Sequence, residues 1–258
     1  MAMPRYYNKK HLKEIREKYQ GIAPKTDDLV IKFTQYPFLD VKAREYAHHG
    51  FARRIQTLER CISNLFKIIP PGTVKVPNRD RLHDAQIQIQ SLLANTYGCV
   101  DNLAWIWVHE RGLKVDKKHV ALRSHNKTVR QSLSVDMQGY LTTVDKWFDY
   151  LADYRHALAH RVPPYIPPGC VHKENVDTYH NLQALIDVAA LRLEVEEHSR
   201  LIDEQAELYI FQPLMTHSFN EAEGIVRFHV QSLIDFVTVE ELALKMLVEF
   251  RRLLDTDT

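Results

Sequence analysis

Residues 41–69 read VKAREYAHHGFARRIQTLERCISNLFKII, and their apolar positions Ile55, Leu58, Ile62, Leu65, Phe66 and Ile69 recur at intervals of three and four. That period puts them on one face of an α-helix, which Pro70, Pro71 and Gly72 bring to an end. The same pattern continues outward. Asn78 and Asp80 are N-cap candidates for a second helix, whose Ile89, Leu92, Leu93, Thr96, Val100, Leu103, Ile106 and Trp107 carry the stripe to about Gly112, with Gly98 set to bend it or admit a close neighbour. A third helix is expected from Asp136 through Leu141, Val144, Phe148, Leu151, Tyr154 and Leu158, until the prolines at 163, 164, 167 and 168 stop it. Leu182, Leu185, Ile186, Ala189, Leu193 and Ile202 predict a fourth helix to about Leu208. Ser218 and Glu221 look like a capping box opening a fifth through Ile225, Leu233, Leu242, Met246 and Phe250.

Five main helices joined by short connections define an all-α bundle, with residues 41–258 as a single helical domain. Residues 1–40 read as an irregular lead-in that mixes a charged start compatible with helix, a turn at Ala23-Pro24-Lys25-Thr26-Asp27-Asp28 and a short strand at Leu29 to Phe33. The 258 residues are 45% hydrophobic, enough for a substantial core. A formal net charge of +1 excludes a globally basic coat for nucleic acid, so any RNA contact must come from a local patch. Three separated cysteines, Cys61, Cys99 and Cys170, form no CxxC pair and fit a reducing compartment. The charged start of the chain has no apolar signal core, and no segment is apolar for the roughly 18 residues that a membrane span needs, so the expected location is the cytoplasm, without membrane contact.

The chemistry concentrates at Asp153-Tyr154-Arg155-His156-Ala157-Leu158-Ala159-His160-Arg161, where two arginines and two histidines crowd a helix end. Arginine's rigid fork of donors suits a phosphate, and histidine exchanges protons near neutral pH, which together match phosphodiester cleavage. Arg155 and His160 are five residues apart, about 140° around an ideal helix, so convergence needs a loosened helix end, a groove or a second subunit. His156 and His160, four apart, share a face and could hold a metal if a third ligand such as His48, His49, His217 or His229 joined them. The plainer alternative is that Arg155 and Arg161 pair with the helix-end carbonyls and with Asp149 or Asp153.

The run Arg155-His156-Ala157-Leu158-Ala159-His160, at the end of a helix in a bundle and followed by Pro163-Pro164-Tyr165-Ile166-Pro167-Pro168, resembles the Arg-x4-His motif of the HEPN superfamily, in an uncharacterised bacterial branch. The resemblance implies a HEPN-like fold, a homodimer with facing motifs, and metal-independent RNA cleavage without a cofactor. Arg155 would neutralise the scissile phosphate, His160 would act as acid or base, and His156 would orient one of them. The family also contains silent binding and assembly modules. Its toxins that a partner nucleotidyltransferase modifies carry a tyrosine two residues after the histidine; that position is Val162, so such a partner is unsupported.

Arg111, Lys114, Lys117, Lys118, Arg123, Lys127 and Arg130 face a single acid, Asp116, across one connection, making it the best local phosphate-binding stretch. Lys117, Lys118, Arg123, Lys127 and Arg130, with Arg161, are the candidate RNA contacts, although the stretch lacks aromatic residues for base stacking. Trp105, Trp107, Trp147 and Phe148 are expected to serve the core or an interface. No Gly-rich phosphate loop, GxSxG elbow, HExxH helix or deaminase zinc signature is present. Three readings follow: a HEPN-type ribonuclease, a catalytically silent HEPN-like module, and a metal-binding helical bundle.

Overall fold

The computed structural model describes residues 6–167, 169–217 and 224–256. It is mostly helical, in agreement with the all-α expectation. The helices are α1 Lys9–Gln20, α2 Ile22–Gln35, α3 Val41–Glu45, α4 Ala52–Ile68, α5 Arg79–Glu110, α6 Lys127–Gln131, α7 Val135–Thr143, α8 Asp145–His160, α9 Val176–Leu191, α10 Val195–Ala206 and α11 Phe228–Thr256. A π-helical turn, Tyr46–Phe51, joins α3 to α4, so the quoted stretch is one helical run with a wide turn inside it.

The spine is α5, 32 residues long and about 48 Å at 1.5 Å per residue. Asn78 caps it by accepting from the Arg81 amide at 3.0 Å. Against it lie α4, α8 and α11, and α2 packs on α4 and α11. Leu58, Leu93, Phe51, Phe33, Trp107 and Phe250 sit in one continuous buried cluster. Each large side chain removed from water there contributes roughly 1.5–3 kcal/mol before conformational entropy is counted. The Trp107 indole donates to Ser132 at 2.8 Å, as a buried indole must find a partner.

Gly98 admits a close neighbour rather than bending the helix. A Cβ there would stand 2.5 Å from the Arg54 guanidinium, and one at Gly50, in the π turn, 2.9 Å from the Asn102 amide. The two glycines leave room for Arg54 to donate to Asn102 at 3.1 Å and Asn95 at 3.3 Å.

Three expectations are corrected. The lead-in is helical: Leu29 to Phe33 lies inside α2, whose Ile22, Thr26, Leu29 and Phe33 are buried at four-three-four spacing. Pro24 sits in the first turn of α2, where its missing amide leaves no bond unmade, so the proline was compatible with helix all along. The third helix is two, α7 and α8, parted at Val144, where Val144 bonds back to Leu141 and the Thr142 and Thr143 hydroxyls bond to backbone carbonyls. The fourth helix is a hairpin, α9 and α10, with its own small cluster of Leu182, Ile186, Ala189 and Leu201. The break is a Schellman-type end in which the Glu194 amide donates to Ala189 and Leu193 adopts φ of +58°. Leu185, Leu193 and Ile202, expected to face inward, are exposed. The Ser218–Glu221 capping box lies outside the described residues; α11 begins at Phe228.

After α8 the proline segment is tied back across the molecule. Tyr165 and Thr216 exchange backbone hydrogen bonds at 2.9 and 3.1 Å, and Gln90 of α5 donates to the Pro164 carbonyl at 3.0 Å. Two short antiparallel pairs, β1 Cys170–Val171 with β2 Tyr209–Ile210 and β3 Leu214–Met215 with β4 Val226–Arg227, hold the connections beside it.

Candidate functional site

The buried face of α8 is Phe148, Leu151, Tyr154 and Ala157. Those positions fix the rotation of the helix and turn Asp149, Ala152, Asp153 and His156 outward along one side. With Arg155, Arg161, Tyr97 of α5 and Arg123 from the basic connection, they line an open pocket of about 480 Å3.

Arg155 is exposed, and its guanidinium lies over the Tyr97 ring at 5.4 Å from the centroid. Among the described residues, neither Arg155 nor Arg123 has a carboxylate oxygen within salt-bridge distance. Asp101, one turn beyond Tyr97 on α5, is nevertheless in their field. Burial raises its carboxyl to about 6, although Arg155, Arg54 and Arg123 all favour its charged form. The pocket therefore keeps two arginines whose charge no direct partner cancels, an arrangement suited to an anion such as phosphate.

Arg161 differs. It pairs with Asp153, donating to both its side chain and its carbonyl, so the plainer expectation for this arginine holds. The second Asp153 oxygen meets His217 at 2.8 Å, and His217, only 2% exposed, packs edge-on against Tyr154. The Tyr154 hydroxyl in turn donates to the Met215 and Gly224 carbonyls. This group ties the end of α8 to Met215, His217 and Gly224 beside the pocket.

His160 is exposed, with its ring 5.1 Å from that of His156. It is not among the residues lining the Arg155 pocket, whereas His156 is. Of the proposed third metal ligands, His217 is engaged by Asp153, and the buried His229 is held at 2.6 Å by the Ile69 carbonyl, its imidazole lowered by burial to about 4. Among the described residues no group of three His, Cys, Asp or Glu side chains is placed to share a metal.

The basic connection divides. Lys117, Lys118 and Lys127 are exposed, and Arg123 reaches the pocket. Arg130 is withdrawn as an RNA contact: it is 8% exposed and holds Asp145, the first residue of α8, through two bonds of 2.8 and 3.2 Å. Sequence reasoning missed Tyr97 and Asp101. They are an aromatic ring and a carboxylate four apart on a long helix, a spacing that puts them on one side. What selects that side is the arrival of α8 against it.

Fold and site together define an all-α protein with an arginine-lined surface pocket at the end of an internal helix. Compared with protein-family models, with curated proteins and with solved structures, the chain matches none. No helix among the described residues is long and apolar enough to cross a membrane.

Proposed function

We propose that this protein is a HEPN-type, metal-independent endoribonuclease that works in the cytoplasm as a homodimer. The observation that carries the reading is the pocket in which Arg155 and Arg123, neither paired with a carboxylate, stand beside His156, whose ring lies 5.1 Å from that of His160. Arg155 and Arg123 would hold the scissile phosphate and offset its growing charge. His160 would take the proton of the ribose 2′-hydroxyl as that oxygen attacks phosphorus, or give one to the departing 5′-oxygen. The products are a 2′,3′-cyclic phosphate and a 5′-hydroxyl. His156 would position His160, and a second subunit's motif would supply the partner acid or base.

The test is cleavage of a mixed single-stranded RNA in EDTA by wild type, Arg155→Ala and His160→Ala, each verified as folded. Cyclic-phosphate ends lost in both variants are the expected result. Equal activity in all three overturns the assignment.

The separation of His160 from the Arg155 pocket favours a second reading, a HEPN-like module that binds RNA or protein without cutting it. That module would bind RNA through Arg123, Arg155, Lys117, Lys118 and Lys127, and Arg155→Ala would weaken binding while no cleavage occurs.

A further inference from the structure

We infer that the pocket beside Arg155 seats a single unpaired nucleobase and reads it through Asp149, favouring guanine. The inference rests on RNA being the ligand of this site, and it adds which nucleotide the site prefers.

The Arg155 guanidinium carbon stands 5.4 Å over the centre of the Tyr97 ring, so a planar cation and an aromatic ring share one wall of the pocket. Unpaired bases are held on such arginine planes and aromatic rings. The face of Arg155 can stack a base while its in-plane N–H groups remain for phosphate, and Arg123 adds a second cation. The cavity of about 480 Å3 has room for a nucleotide.

Two carboxylates line it, and they are not equivalent. Asp153 has both oxygens engaged, by Arg161 and by His217. Asp149 is exposed and has no hydrogen bond or ion pair among the described residues. An ionised carboxylate only accepts, through two parallel oxygens. Guanine matches it with adjacent donors, N1–H and the N2 amino group. Adenine and cytosine present one amino group on that edge and uracil one imino hydrogen. Asp149 and Arg155 are six residues apart, about 9 Å along the helix axis, a span that a nucleotide bridges between its phosphate and its pairing edge.

The measurement is calorimetric binding of the four 3′-nucleoside monophosphates to the full chain in EDTA, with Asp149→Asn and Arg123→Gln beside it. Guanosine 3′-monophosphate should bind about tenfold more tightly than the uridine compound, the scale of one bidentate base contact. Asp149→Asn, which exchanges one acceptor for a donor at an exposed position with no bond to lose, should erase that preference and leave the weaker common binding. Arg123→Gln should weaken all four alike. Equal binding of the four by wild type, or a guanine preference that survives in Asp149→Asn, overturns the inference. Cleavage assays separate the two proposals. RNA cut without regard to base leaves the nuclease reading standing and removes this one, whereas an Asp149-dependent guanine preference in a protein that cuts nothing does the reverse.

Discussion

Arg155 of α8 lies over the ring of Tyr97 of α5, 5.4 Å from its centroid, so the two helices meet at the candidate site through a cation and an aromatic face. The contact needs only a ring, so Tyr97→Phe should preserve it and Tyr97→Leu should not. A cation–π contact at a half-open site contributes about 0.5–1 kcal/mol, which predicts a two- to fivefold loss of single-stranded RNA affinity in Tyr97→Leu, read by fluorescence anisotropy, if the ring orders Arg155 for binding. Wild-type affinity in the leucine variant would show that Arg155 needs no such support.

Arg130 and the exposed lysines should separate cleanly. Arg130 ties α6 to the first residue of α8 through Asp145, which is itself partly exposed. Arg130→Gln should therefore cost about 1–3 kcal/mol in urea unfolding, less than a fully buried pair would, and leave RNA affinity unchanged in the folded protein. The double variant Lys117→Gln, Lys127→Gln should behave oppositely, with unchanged stability, weaker RNA binding and a shallower dependence of log affinity on log salt. Loss of RNA affinity in folded Arg130→Gln would return Arg130 to the binding surface.

Asp235 joins α11 to α8 from a fully buried position, accepting from Trp147 at 2.9 Å and Gln231 at 2.8 Å. Burial raises its carboxyl to about 7, against about 3.9 for an unfolded aspartate, and the hydrogen bonds from Trp147 and Gln231 only partly offset that. Between those values the folded state binds more protons than the unfolded one, so this group's contribution to stability is present below about pH 4 and is lost as pH rises to about 7. Asp235→Asn keeps the acceptor for Trp147 and removes the ionisation. The variant should gain about 1–3 kcal/mol relative to wild type on going from pH 5 to pH 8 in urea titrations. Parallel pH profiles for the two proteins would place the protonation elsewhere.

Leu193 ends α9 with φ of +58° while 84% exposed, so it pays backbone strain and returns little packing. Leu193→Gly should stabilise the protein by about 0.5–1 kcal/mol, the strain relieved being partly cancelled by the freer unfolded chain. A raised thermal midpoint is the expected reading; a lowered one would mean that Leu193 is covered by another surface.

Helix by helix, legibility followed local signals. The stripe from Ile55 to Ile69 and the proline stop after α8 follow from local sequence alone, and of the two cap candidates, Asn78 and Asp80, the structure uses Asn78. The break at Leu193 carried no signal, because the residue in the left-handed position is not glycine. The turn residues at Ala23 to Asp28 pointed away from helix, and α2 forms because Leu29 and Phe33 complete a face that α4 and α11 bury. At the site, the crowding of Arg155, His156, His160 and Arg161 was visible, and so was the basic connection.

By itself, then, the sequence determined the helical class, most of the long helices, and a cluster of cations and histidines at one helix end, since those depend on the 3.6-residue period and on neighbours a few residues apart. Only the tertiary structure decided which of those side chains act together. Tyr97, Arg123, Asp149 and Arg155 are up to 58 residues apart in the chain and share a pocket because α8 packs on α5 with Phe148, Leu151 and Tyr154 buried. Arg123 and Arg130 are seven residues apart in one basic stretch, yet one lines the pocket and the other is sealed against Asp145. That division comes from long-range burial and desolvation, which spacing along the chain does not encode.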